Sequence, residues 1–192
     1  MIRELTAAGF GGQGALAIGK NLVEAGMKEG LKVTWTPSYG PEMRGGTANC
    51  SVVLSDTRIG SPVFAHPSDL IALNLPSLHK FCASVKPGGN IFINSSTIEE
   101  TVAREDVNVY TIPCAEIASE CGNEKAANMV MLGAYIEATG VVKPETAVEI
   151  IREMFAGKKE KYIPGNIAAM RAGMACVKQQ RTQEVKKSQE HE

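Results

Sequence analysis

The sequence predicts a three-layer α/β/α domain with a largely parallel sheet, a glycine loop after the first strand and a helical C-terminal part. Three observations predict it. Short apolar runs of strand length alternate with helical patterns, and most of the strands come early. The first run enters directly into a glycine cluster that opens a helix. From residue 113 onward the pattern is helical throughout. The 192 residues suit one domain, expected over residues 1–180 with a polar, frayed tail at 181–192; single domains run to about 100–200 residues. Apolar residues are 44% and charged residues 21%, the balance of a globular protein able to bury a core.

Residues 2–8 read as the first strand, and Gly9-Phe10-Gly11-Gly12-Gln13-Gly14 follows it. Ala15, Ile18, Gly19, Leu22 and Gly26 then share one helix face, and the two glycines among them predict close approach of helix to sheet. Gly30 ends this helix and Leu31–Trp35 reads as a strand. Two prolines and three glycines between residues 37 and 46 predict a loop. Thr47–Ser55 is expected as a buried strand, Asp69–Asn74 as a short apolar run, and residues 76–85 as a helix. After the turn Pro87-Gly88-Gly89 come strands at Asn90–Asn94 and Val107–Ile112. Pro113–Glu120 is a short helix stopped at Gly122, and Lys125–Thr139 is apolar nearly all round, which predicts burial. Pro144–Ala156 begins with a helix-starting proline and ends at Gly157 before two lysines. Asn166–Gln180 is the last helix.

Several function classes are disfavoured. Lys and Arg total 20 against 21 Asp and Glu, a formal net charge of -1. A chain that grips polyanionic nucleic acid would be basic. No apolar run approaches the ~18–20 residues of a membrane span. Met1-Ile2-Arg3-Glu4-Leu5 does not read as a secretory signal. The five cysteines, Cys50, Cys82, Cys114, Cys121 and Cys176, are scattered without a C-x-x-C. Iron–sulfur and structural zinc sites need closely set ligands, so neither is expected, and a reducing, cytoplasmic setting is. His66, His79 and His191 are too dispersed for a metal site.

Gly9, Gly11 and Gly14 fit G-x-G-x-x-G between strand and helix. Such glycines let backbone approach a ligand, and the helix start offers free N–H groups to an anion. A dinucleotide site also wants an acid at the end of the second strand, and Val33-Thr34-Trp35-Thr36 supplies none. Three readings stay open: a packing turn, a dock for an anionic group, and a contact with a partner's backbone. Gln13 adds a side chain that both donates and accepts hydrogen bonds. In the 37–46 loop, Arg44 can grip a carboxylate or phosphate through its forked donors, or simply pair with Glu42 at the surface. Cys114 and Cys121 share a helix face, where buried thiols act far more often as small hydrophobes than as a redox pair. Asn128 either caps backbone or faces a partner, and Met129, Met131, Met170 and Met174 read as packing. His66 and His79 read as surface or half-buried side chains, and Lys158, Lys159 and Lys161 as a solvated helix end.

Gly9-Phe10-Gly11-Gly12-Gln13-Gly14, with Ser38-Tyr39-Gly40-Pro41-Glu42-Met43-Arg44-Gly45-Gly46, resembles the gamma subunit of 2-oxoacid:ferredoxin oxidoreductases, the gamma-domain family of pyruvate ferredoxin oxidoreductase. Asn128-Met129-Val130-Met131-Leu132-Gly133 and the later Asn166, Ala169 and Gly173 extend the likeness over residues 2–177. The resemblance implies a complex that oxidatively decarboxylates a 2-oxoacid to an acyl-CoA and reduces ferredoxin. Thiamine diphosphate, Mg and iron–sulfur clusters would sit in the alpha, beta and delta subunits, and this chain would complete the site on its CoA side without catalysing alone. Ser38 to Glu42 looks more like the 2-oxoglutarate and branched-chain members than the pyruvate members. By resemblance, Gly11, Gly12, Gln13 and Gly14 would form one loop facing the shared site. Ser38, Glu42, Arg44, Gly45 and Gly46 would form the second. Both loops are expected at one end of the sheet, since each follows the carboxyl end of a strand. An isolated chain could pair with itself through the surface meant for partners. The rival readings are a free-standing CoA- or nucleotide-binding module and a lone dehydrogenase, which the missing acid disfavours.

Overall fold

The computed structural model describes residues 1–39 and 46–190, without the side chains of Tyr39 and residues 184–190. Strand β1 (Ile2–Phe10) leads into helix α1 (Ala15–Lys28), then β2 (Lys32–Tyr39) and β3 (Thr47–Ser55). β4 (Asp69–Ala72), α2 (Leu75–Phe81), β5 (Asn90–Asn94) and β6 (Asn108–Ile112) follow. The rest is helical: α3 (Cys114–Glu120), α4 (Ala127–Thr139), α5 (Pro144–Met154) and α6 (Ile163–Glu190). No described helix is long and apolar enough to cross a membrane.

The strands form one sheet in the order β2-β3-β1-β4-β5-β6. β4 pairs parallel with β1, β5 with β4 and β6 with β5, whereas β3 lies antiparallel between β1 and β2. The sheet is therefore mixed, and β3 alone opposes the common direction. The reason is local: residues 40–46 join β2 to β3, too short for the crossover of a dozen or more residues that parallel neighbours need. β2 also runs further than the loop expected from residue 37. Pro37 is a strand residue opposite Cys50. It is tolerated because β2 is the sheet's edge, where a missing donor breaks no central ladder.

Helices α1 and α3–α6 cover one face of the sheet. There Leu5, Ala7, Cys50, Val52, Leu54, Ile71, Phe92 and Ile112 join the main core. The opposite face of β4 and β5 is closed by a smaller cluster in which Leu70, Ala72, Ile91 and Ile93 meet Leu78, Val85 and Ile98. Three layers result, unequal in thickness. The expected face of α1 is the buried one, and Gly19 and Gly26 do bring helix to sheet. A Cβ at Gly19 would stand 2.5 Å from Cys50 Sγ, and one at Gly26 2.7 Å from Leu54 Cδ2.

Helix α4 is buried continuously from Met129 to Ile136, as its all-round apolarity requires. It lies between the sheet and α6. α6 passes the expected end at Gln180. Gln180 Nε2 donates to Thr111 O (2.7 Å), and Arg181 Nη2 donates to Ala138 O (2.8 Å) and to Tyr110 Oη (3.2 Å). Arg181 thereby satisfies a carbonyl at the C-terminal end of α4, the place where a cation is electrostatically favoured.

Candidate functional site

At the carboxyl end of β1, Phe10 pairs with Thr47 and the chain turns through Gly11 and Gly12. Gly12 and Gly14 have φ of 97° and 90°, left-handed values at which any side chain is strained. Gly11 and Gly12 are exposed. The Gly11 N–H donates to Gly46 O (3.0 Å), which ties the turn to the residue entering β3. In register with this, Tyr39 lies opposite Ala48. The glycine turn and the described flanks of the second loop are thus side by side at one end of the sheet. Ser38 is exposed near the end of β2, opposite Asn49. Glu42, Arg44 and Gly45 lie outside the described residues.

Gln13 holds the turn from the other side. Its Oε1 accepts from Phe10 N–H (2.7 Å) and Asn74 Nδ2 (3.2 Å), and its Nε2 donates to Leu73 O (3.0 Å). Asn74 Oδ1 in turn accepts from Ser77 N–H and caps α2. β1 and β4 are parallel neighbours. Their following helices lie on opposite faces, the place where open α/β sheets usually admit a ligand. Here Gln13 and Leu73 fill that crevice: a Cβ at Gly9 would be 2.8 Å from Gln13 Oε1 and 2.9 Å from Leu73 Cβ. Sequence alone showed Gln13's bonding capacity but not that the protein uses it internally. Replacing Gln13 with alanine is expected to destabilise the fold by about 1–2 kcal/mol, because Phe10 N–H and Asn74 Nδ2 lose their acceptor, whereas Leu73 O keeps Thr97 Oγ1 (2.8 Å). Amide exchange over residues 10–14 should accelerate, and unchanged exchange and stability would show the turn needs no brace.

The start of α1 is receptive to an anion or a carbonyl. Its cap is Gly14, which has no side chain to accept from the first N–H groups, and no acid lies in its first turn. Asn128 packs on this corner, where a Cβ at Gly14 would approach its Cβ and Nδ2 to 2.7 Å. Asn128 also lines a cavity of about 410 Å³ with Asn123, Lys125, Phe155, Lys159, Tyr162 and Asn166. Sequence reading did not group these residues, because they come from two stretches, 123–128 and 155–166, that α4 and α5 hold apart in the chain.

Four of the thiols are shifted away from the reactive thiolate form. Burial pushes Cys50 up to about 11 and raises Cys114 further, and Cys82 and Cys176 are also raised by burial. Cys114 belongs to the main core and Cys121 packs against it, the hydrophobe role expected of them. Among the described residues no group of three His, Cys, Asp or Glu could hold a metal ion. The glycine turn and the uncapped start of α1 do suit an anionic group.

An α/β domain with these features defines a module that presents an anion-receptive, hairpin-braced glycine turn. A profile of the Pyruvate ferredoxin/flavodoxin oxidoreductase family matches residues 4–176, and the chain belongs to that family. It is 36% identical over 185 residues to the 2-oxoglutarate synthase subunit KorC of Methanothermobacter marburgensis, covering 92% of this chain and 97% of that protein. It is 44% identical over 168 residues to the ketoisovalerate oxidoreductase subunit VorA of Methanothermobacter thermautotrophicus, covering 86% of this chain but only 34% of VorA. The chain thus spans about a third of the VorA relatives. Among solved structures, the gamma subunit of a keto/oxoacid ferredoxin oxidoreductase from Geobacter sulfurreducens superposes with a TM-score of 0.78 at 28% identity, covering 91% of this chain and 98% of that one. The 2-oxoglutarate:ferredoxin oxidoreductase of Magnetococcus marinus, with 2-oxoglutarate, coenzyme A and succinyl-CoA bound, gives 0.85 at 26% identity, covering 92% of this chain and 31% of that one.

Proposed function

We propose that this chain is the gamma subunit of a cytoplasmic 2-oxoacid:ferredoxin oxidoreductase, inactive alone. Its partners would be the alpha, beta and delta subunits, through which electrons pass to ferredoxin. The observation that carries the reading is the end-to-end match to KorC and to the Geobacter gamma subunit, whose whole lengths this chain nearly covers. Thiamine diphosphate, Mg and the iron–sulfur clusters would belong on the partner chains in this reading, as the family resemblance implies. CoA, when bound to the assembly, would supply the thiol that accepts the acyl group. This chain's part is to bind and orient: Gly11 and Gly12 bring bare backbone to the shared site, Gln13 fixes that turn, and Gly14 leaves the α1 N–H groups open to an anion. By the family resemblance, Ser38, Glu42, Arg44, Gly45 and Gly46 would form the second contact loop, where Arg44 would grip a carboxylate or phosphate. 2-Oxoglutarate and a branched-chain 2-oxoacid are the preferred substrates to try.

The test is reconstitution. The chain purified alone should show neither colour nor methyl-viologen reduction. Co-expressed with neighbouring chains that carry a thiamine-diphosphate motif and clustered cysteines, it should co-elute with them and support CoA-dependent reduction. Arg44→Ala should leave assembly intact and raise KM for CoA or for the 2-oxoacid by roughly tenfold, as expected for a lost charge-assisted hydrogen bond. Failure to co-elute would instead favour a free-standing CoA- or nucleotide-binding module.

A further inference from the structure

The two edges of the sheet are finished differently. At β6, α6 packs beside the strand and Gln180 Nε2 donates to Thr111 O (2.7 Å). At β2, the direction of the backbone groups follows from the ladder next to it. Asp56 N–H donates to Met1 O (3.2 Å) and Gly11 N–H to Gly46 O (3.0 Å), at the two ends of the β1–β3 pairing. Hydrogen-bonded and non-bonded pairs alternate along an antiparallel ladder. Ala48, Cys50, Val52 and Leu54 therefore give their backbone groups to β1. Their partners across β2, Tyr39, Pro37, Trp35 and Val33, turn theirs away from β3 to the free side. Pro37 fits there because it has no N–H to place in the ladder.

The free side thus presents the N–H and C=O of Val33 and of Trp35 and the C=O of Pro37, none with a partner among the described residues. Such a row is matched by another extended strand, and three observations fit the same strand of a second copy. The first is register. With the strands antiparallel about a two-fold axis at Thr34, Val33 of each copy faces Trp35 of the other, and every N–H and C=O of these residues is bonded. Sliding two residues one way sets Val33 C=O against Pro37, which has no donor. Sliding two the other way sets Trp35 C=O against Leu31, whose N–H already goes to Gly26 O (2.9 Å). The second is side-chain and charge complementarity. Val33 against Trp35 is a favourable β-branched–aromatic pair, and both are only half-buried in the single chain. Exposed Lys32 meets exposed Thr36, so no like charges oppose. The third is Thr34, whose Oγ1 has no partner among the described residues. On the axis it meets its own copy, and paired threonines hydrogen-bond across strands.

We propose that two copies of this chain pair antiparallel through β2, with Thr34 on the two-fold axis, and join their sheets into one. The interface is isologous, so the same patch serves both copies. α1 packs on β2 and β3, and its Leu16 and Val23, with Leu31, are half-buried hydrophobics that widen the apolar seam. The pairing belongs to this chain and does not rest on the oxidoreductase reading.

The experiment is sedimentation equilibrium of the full chain over a range of concentrations, with Thr36→Lys and Thr36→Glu as opposed probes. Thr36 is exposed, so both variants should fold as the parent does. The parent should be dimeric. Thr36→Lys sets a lysine against Lys32 of the other copy and should weaken the dimer by roughly tenfold, whereas Thr36→Glu should tighten it by a similar factor. Added salt should shrink both effects. Lys32→Glu in the Thr36→Lys background should restore the parent's affinity, which tests the register itself. Amide exchange at Val33 and Trp35 should slow as the dimer forms. A chain that stays monomeric at every concentration would overturn the proposal, as would a dimer indifferent to both substitutions at position 36. So would protection of Val33 and Trp35 that appears only in a co-expressed assembly, which would give this edge to a strand of another subunit. Failure to co-elute with neighbouring chains leaves these measurements unaffected, so the two readings fall separately.

Discussion

Gly133→Ala and Gly173→Ala are each expected to destabilise the protein by about 3 kcal/mol or more, at or beyond the upper end for adding one methyl group to a packed core. The two glycines form a reciprocal contact where α4 crosses α6. A Cβ at Gly133 would stand 1.9 Å from Met170 O, and a Cβ at Gly173 would stand 1.9 Å from Val130 O. Both obstacles are backbone carbonyls held in helical hydrogen bonds, so neither can rotate aside as a side chain would. The helices must separate. α4 cannot retreat, because its other side is seated on the sheet, with Tyr135 edge-on to Phe92 at 5.3 Å. For a chain of this size each kcal/mol lowers Tm by roughly 2–4 °C, so a drop of roughly 6–12 °C is expected for each variant. The double variant should lose less than the sum, because helices already pushed apart by one methyl have room for the second. Urea and thermal unfolding measure both effects. A cost below about 1 kcal/mol for either single variant would mean that the helices slide more easily than their close approach implies.

That contact shows what sequence could and could not disclose. The burial of α4 was legible because an all-round apolar helix has nowhere else to go, and Asn128 through Gly133 were already conspicuous. The partner glycine was not, since nothing in sequence says that position 173 meets position 130. The first strand, its glycine turn and the buried face of α1 were equally legible, because period and turn chemistry are local. The hairpin that turns β3 against its neighbours was hidden by Pro37, which reads as a breaker and stands instead on an edge strand. At the candidate site, the pairing of the two loops through Gly11 and Gly46 follows from each lying beyond a strand end. The internal use of Gln13 does not follow, because its partners Leu73 and Asn74 are 60 and 61 residues away. The lysine and asparagine cavity was illegible for the same reason.

Asp69→Ala is expected to cost about 3–5 kcal/mol, the range for removing one member of a buried charged network. Asp69 is completely buried at the start of β4. Its carboxylate accepts from Asn90 Nδ2 (2.6 Å), Ser68 Oγ (3.0 Å), Tyr135 Oη (3.1 Å) and Arg3 Nη1 (3.2 Å). The loss falls unequally. Arg3 is 29% exposed and can turn to water, and Ser68 keeps Glu4 O as a partner. Tyr135 is fully buried and has no such escape, so its hydroxyl would stay unsatisfied. Tyr135→Phe should therefore cost only about 1–2 kcal/mol in the native background. In the Asp69→Ala background it should cost less, because the stranded hydroxyl is removed. The same pair gives a pH dependence. Burial first, and then the Asp69 charge, raise the Tyr135 hydroxyl well above its ordinary value of 10.0. A raised acid is protonated in both states below the unfolded value, so its stabilisation is complete there. As pH rises past about 10 the unfolded chain releases this proton while the folded chain keeps it, and stability falls. Parent and Tyr135→Phe proteins should have parallel stability curves from pH 6 to about 9 and converge above about 10, the phenylalanine variant lacking this part of the alkaline loss. Parallel curves through pH 11 would show that the tyrosine ionises in the fold as freely as in water.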